Sequence, residues 1–119
     1  AIQWLRKAAD QDFAEAQLYI GFMHREGKGV AQDDNKEALW FRKAADQGLA
    51  DAQFNFGVLH YEGIGVAQDF KETVRWYLKA ANQGLVKAQH NLGNMYYKGE
   101  GVALDYTEAA QWYRKAAEQ

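Results

Sequence analysis

The stretch "EGKGVAQDDNKEALW", residues 26–40, returns 36 positions later as "EGIGVAQDFKETVRW" at 62–76 and again as "KGEGVALDYTEAAQW" at 98–112. Two glycines one residue apart ahead of a helix can cradle a phosphate. Here no strand pattern precedes them, no third glycine follows and no Lys-Ser or Lys-Thr pair closes the loop. Asp33, Asp69 or Asp105 also stands at the helix start, where its charge would repel the phosphate. The stretch therefore reads as a turn. Gly27 ends one helix with a positive φ, Gly29 lets the chain reverse, Val30 fills the gap between helices and Asp33 caps the next helix. Asp69 with Glu72 and Asp105 with Glu108 have capping-box spacing, in which each side chain satisfies the other residue's orphan backbone donor; Asp33 has only Lys36.

The tryptophan that closes each stretch sets the period. Trp4, Trp40, Trp76 and Trp112 are each 36 residues apart. On that frame Gly21, Gly57 and Gly93 share a column, as do Ala16, Ala52 and Ala88, and Gln17, Gln53 and Gln89. Residues 13–48 and 49–84 agree at about half their positions, a density that marks true internal repetition. Within a unit, Ala52, Phe56, Leu59 and His60 follow one buried helical stripe over 49–62. Val74, Trp76, Tyr77, Ala80 and Ala81 make the broad apolar face of a second helix at about 70–82. Gly48 and Gly84 follow second helices as left-handed caps, and Asp12 takes that place near the start of the chain. The expected organisation is one solenoid domain over 1–119. Residues 1–12 form an orphan second helix over 1–10, followed by helix pairs at 13–48, 49–84 and 85–119.

Composition narrows the function. A net charge of −2 and a pI near 5.9 argue against a nucleic-acid surface, which needs a basic patch. The chain has no Cys and no Ser, and Thr73 and Thr107 are its only alkyl hydroxyls, so the usual nucleophiles of covalent hydrolysis are missing. No apolar run approaches the length of a membrane span. With Ala1 first and Trp4 already in the repeat pattern, the sequence reads as a fragment or mature piece of a longer chain, and its compartment is left open. No cofactor motif appears.

The stretch "AQHNLGNMYYKGEGVALDYTEAAQWYRKAAEQ", residues 88–119, resembles the Sel-one-like repeat, a relative of the tetratricopeptide repeat, and the resemblance spans the whole chain. It rests on Ala, Leu-Gly, Tyr, Gly-x-Gly-Val, Asp, Trp-Tyr and Lys-Ala-Ala in order at a 36-residue period. Asp34 departs from the pattern where Phe70 and Tyr106 keep an aromatic, and His24 and His60 stand where Tyr96 gives the expected tyrosine. The resemblance implies an all-α, right-handed α-solenoid of antiparallel helix pairs and a scaffold or adaptor role, as in bacterial members that engage envelope or host proteins. Some family members have been proposed to bind or cleave β-lactams, a role made remote here by the missing Ser and Cys.

Recurrence also sorts the candidate site residues. His24 and His60 share a column, which stacking holds about 8–10 Å apart, too far for shared metal ligation, and His90 lies in another column. No metal site is expected. Glu26, Asp51 and Glu62 form no evident acid–base dyad, and the tryptophan column reads as core. In a repeat protein the binding surface is free to vary where the core must recur. The variable positions on first helices are Glu15, Leu18, Phe22 and Arg25; Asp51, Phe54, Val58 and Tyr61; and Lys87, His90, Asn94 and Tyr97, with Lys98 beside the last. By the tetratricopeptide resemblance these line a concave, peptide-binding face, and an extended ligand with a hydrophobic stretch and an acidic end would suit it. The alternative is that Leu18, Phe22, Phe54 and Val58 only pack adjacent repeats, leaving a structural segment that self-associates through uncapped ends.

Overall fold

The computed structural model describes residues 2–119; Ala1, placed by the sequence reading in the first helix, lies outside them. Seven helices follow in order: α1 (Ile2–Asp10), α2 (Ala14–Glu26), α3 (Asp34–Asp46), α4 (Ala50–Glu62), α5 (Phe70–Asn82), α6 (Val86–Lys98) and α7 (Tyr106–Ala117). Each packs antiparallel on the next, so the chain is an all-α solenoid in which α2, α4 and α6 are the first helices of successive pairs. The molecule is elongated, 47 × 28 × 20 Å.

Local signals fix the helix ends. The first helices stop at Gly27, Gly63 and Gly99, all left-handed. Asp12 adopts the same region with φ 65°, where the missing glycine makes it a strained stop. The second helices α3, α5 and α7 begin on Asp33, Asp69 and Asp105, whose carboxylates accept from the backbone N–H of Lys36, of Lys71 and Glu72, and of Glu108. The reciprocal half of the expected capping box is absent. Each aspartate's own N–H instead donates to the carbonyl of His24, His60 or Tyr96 at 2.8–3.0 Å, so the loop itself satisfies the donor, and Glu72 is free to receive Arg75.

Close helix approach explains the recurring first-helix glycine. A Cβ at Gly57 would lie 2.9 Å from the Tyr77 ring, and the same collision would involve Phe41 at Gly21 and Tyr113 at Gly93. The second glycine of the loop has a docking role besides its positive φ. A Cβ at Gly65 would strike the Asp34 carbonyl, and one at Gly101 the Phe70 carbonyl. These two loops thus rest on the start of the preceding repeat's second helix, with Val66 and Val102 packed into the core beside them. Among the described residues, by contrast, Gly29 of the first loop meets only the Met23 side chain and Val30 joins no core cluster.

A buried glutamine ties three helices together in every repeat. Gln53 Nε2 donates to the Ala45 carbonyl at the end of α3, and its Oε1 accepts from Gln83 Nε2, just past α5, at 2.9 Å. Gln17 and Gln89 repeat the pattern with Ala9 and Gln47, and with Ala81 and Gln119. All three glutamines are buried, and unmade bonds at such sites are costly.

Three tryptophans are core and one is not. Trp40, Trp76 and Trp112 are buried against Ile20, Phe56 and Leu92 of their own first helices, with Lys43, Lys79 and Lys115 over the rings at 4.3–4.6 Å. Trp4 corrects the expectation for its column, being 78% exposed. The described residues include no first helix on its side of α1.

Two stability contrasts follow. Trp76→Ala should cost about 3–5 kcal/mol while Trp4→Ala changes stability by no more than about 0.5 kcal/mol, as read from urea melts. In the same assay Asp69→Ala should lose about 0.5–2 kcal/mol, whereas Glu72→Ala, whose side chain closes no box, should stay within about 0.5 kcal/mol of the parent.

Candidate functional site: a groove across the first helices

The variable first-helix residues divide between packing and open surface. Leu18 and Phe22 pack on the cluster built by α3, α4 and α5, with the Phe22 ring edge-on to Phe41 at 5.2 Å. Phe54, Val58 and Tyr61 do the same one repeat on, Phe54 stacking on Tyr77 at 5.3 Å. These side chains therefore join repeats, yet each stays only partly buried. Glu15 is exposed. Asp51 and Lys87 face each other across two repeats at 3.8 Å, and the Lys87 ammonium lies 5.0 Å from the Phe54 ring. His90 leans on Tyr113, whose hydroxyl donates to Asn94 Oδ1 at 2.5 Å. Tyr97, 55% exposed, lies against Tyr106.

Two adjoining hollows run along this face. One of about 370 Å³ lies between the end of α2, the start of α3 and α4, with Arg25, Glu37, Phe54 and Asn55 in its walls. The next, about 290 Å³, is lined by α4, α6 and Tyr77, with Tyr61, Asn91, Asn94 and Lys98. Val58 and Glu62 line both, so the hollows adjoin across α4 as a grooved surface with apolar Val58, Leu59 and Met95 in their walls. Of the variable positions it brings together Arg25, Phe54, Val58, Tyr61, Asn94 and Lys98; Glu15, Leu18, Phe22, Asp51, Lys87, His90 and Tyr97 line neither hollow.

The groove also contains residues the sequence reading passed over. Asn55 and Asn91 share a column and so look like structural repetition. Glu62 was weighed only as an acid–base candidate. Glu100 comes from the loop after α6; it accepts from the Tyr61 hydroxyl at 2.9 Å, a bond that holds the phenolic proton more tightly, helped by burial and the carboxylate's charge. Burial pushes the Tyr77 phenol up to about 12, so it is a neutral hydroxyl throughout the physiological range.

Arg25 and Glu37 give the first hollow its own chemistry. Glu37 is 2% exposed at the position taken by Thr73 and Ala109 in the other repeats. The Arg25 Nε–H donates to its carboxylate at 2.6 Å, and the guanidinium lies 5.3 Å from both the Phe22 and Phe41 rings. The departure from repetition at Glu37 was visible in the sequence, but it fell on a second helix, outside the columns searched.

The histidines stay apart in role. His24 is buried with Nδ1 3.3 Å from the Ala31 carbonyl, and His60 makes the same approach to Ala67. Among the described residues no group of three His, Asp or Glu could hold a metal ion, and no helix is long and apolar enough to cross a membrane.

Helix pairs at a 36-residue period, a Gly-x-Gly-Val loop and a groove across first helices are the marks of one class, the helical repeat solenoid. The Sel1 repeat family matches residues 1–13, 14–49, 50–85 and 86–119, and the chain belongs to that family. Among solved structures it is similar to a protective antigen with an SLR fold present in uropathogenic Escherichia coli strains. The two are 44% identical with a TM-score of 0.96, over 98% of this chain and 25% of the other. It is also similar to a Sel1 repeat protein from Oxalobacter formigenes, at 42% identity and a TM-score of 0.87, over 91% of this chain and 44% of that one. Helicobacter pylori cysteine rich protein B shares the fold, with a TM-score of 0.74 at 22% identity, over 99% of this chain and 90% of that one. The chain thus spans a quarter of the first relative and under half of the second. No curated protein matches it.

The ion pair in the first hollow can be tested directly. Arg25→Met should cost about 3 kcal/mol, the low end for breaking a buried pair because the arginine is partly exposed. The double variant Arg25→Met/Glu37→Met should recover most of that loss in a denaturant titration, since no charge is then stranded.

Proposed function

We propose that the chain is a protein-interaction scaffold that takes an extended peptide or protein segment along the first-helix groove, the concave face in the family reading. One observation supports this: the two hollows adjoin at Val58 and Glu62, and each is lined by two successive repeats, so the grooved surface crosses repeat boundaries. Walls that combine apolar side chains with amides and charges suit a segment that buries alternate side chains and is held by its polar backbone. Sel1 repeats typically mediate protein interactions, which supports the same assignment. The variable positions that line neither hollow, such as Tyr97 and Lys87, form the rim of this surface in the proposal. The divisions at 1–12, 13–48, 49–84 and 85–119 are its structural units.

A second reading, self-association within a longer array, is favoured by a different observation. Trp4 borders an apolar hollow of about 510 Å³ on α1, with Gln3, Lys7, Ala8 and Gln11, and exposed apolar ends seek partners. Sedimentation over a wide concentration range tests it, and a strict monomer throughout counts against it.

For the scaffold, binders selected on a peptide array should lose about tenfold in affinity with Val58→Gln, which places an amide where the hollows adjoin. Tyr97→Lys, outside both hollows, should leave the affinity within about twofold. Fluorescence anisotropy reads both variants, with melting curves confirming that each is folded. Affinity indifferent to Val58→Gln removes the groove from the binding surface.

A further inference from the structure

We infer that the groove selects a cationic side chain, a lysine or arginine of the bound segment, and that Glu62 is the residue that receives it. This rests on the scaffold reading of the same groove and reverses the acidic-ended ligand suggested by sequence.

The charges in the walls decide the sign. Two cations, Arg25 and Lys98, face four carboxylates, Asp34, Glu37, Glu62 and Glu100. Arg25 is already committed to the buried Glu37, Glu100 accepts the Tyr61 hydroxyl, and Asp34 accepts the Gln32 amide. Glu62 stands at the junction of the two hollows, where a bound segment passes from one repeat to the next. Neither Glu62 nor Lys98 belongs to an ion pair among the described residues. An acidic group approaching Lys98 would meet Glu62 and Glu100 in the same hollow. A lysine or arginine lying along Val58 instead rests its methylene stem on apolar surface and brings its charged head to Glu62.

Glu62 is also poorly placed for the fold. It is the last residue of α4, the negative end of the helix dipole, where a carboxylate is unfavourable and a cation favourable. At the equivalent ends stand Glu26 in α2 and Lys98 in α6; of the two glutamates only Glu62 lines the hollows. With no ion-pair partner among the described residues, the Glu62 carboxylate is available to a ligand at little cost to the fold.

The test is a peptide array probed with the intact protein and with Glu62→Gln, followed by anisotropy titrations of the leading binders and of versions with Lys or Arg replaced by Gln and by Glu. Binders should be enriched in Lys and Arg over Asp and Glu. The Glu-substituted peptides should bind worst, and Glu62→Gln should weaken the basic peptide about fivefold, the worth of one partly exposed ion pair. The variant should leave the Gln-substituted peptide unchanged and melt no lower than the parent. Leading binders that are acidic, or basic binders indifferent to Glu62→Gln but sensitive to Val58→Gln, overturn this inference and leave the scaffold proposal standing. An array with no binders at all overturns both.

Discussion

The arrangement of this chain depends on a primary amide buried where three helices meet. Backbone carbonyls at the end of a helix have no partner within the helix, and burying them against the next helix is costly unless something donates to them. The Ala45 carbonyl takes the turn N–H of Gly48 at 2.9 Å, the Gln53 side chain adds a second donor that couples it to the next repeat, and the Gln53 oxygen is satisfied by Gln83. One side chain therefore fixes the corner between repeats and the closure within its repeat. Its recurrence at Gln17 and Gln89 makes the angle between helix pairs a property of the unit, so the solenoid grows regularly. The glycine that admits the Tyr77 ring and the glycine that admits the Asp34 carbonyl set the distances; the glutamine sets the register.

Because these contacts recur, the fold was legible in the sequence. The tryptophan spacing gave the period, the aspartates gave the second-helix starts and the glycines gave the first-helix ends, all through interactions spanning only a few residues. What was illegible depended on space. The Asp69 N–H is satisfied by the His60 carbonyl, nine residues back across a loop, a distance that no capping pattern encodes. Trp4 matched its column perfectly and is still exposed, because a period describes the residue and not whether a neighbour covers it.

The candidate groove was only partly legible for a related reason. The non-recurring first-helix columns include Arg25, Phe54, Val58, Tyr61, Asn94 and Lys98, which line it, together with Glu15 and Tyr97, which do not. Asn55 and Asn91 lie outside those columns because they agree with each other, and Glu37 because it sits on a second helix. Equivalent places in successive repeats carry different solutions. A salt bridge joins Arg25 to Glu37, the Tyr61 phenol bonds Glu100, and Tyr97 lies against Tyr106. A uniform scaffold thereby presents a non-uniform surface, and chemical identity along the groove is set one repeat at a time.

The amide clamp is also unequal at the two ends of the molecule. At the far end Gln119 closes on Gln89, so α7 is tied to the first helix of its own repeat. At the near end Gln11 occupies the same repeat position with no first helix among the described residues to receive its amide, and the tryptophan above it is bare. In an array whose units are stabilised by their neighbours, opening begins where couplings are fewest. Thermal fraying is therefore directional: amide protons of α1 exchange first, and protection rises toward the middle repeats before falling only slightly at the clamped terminus.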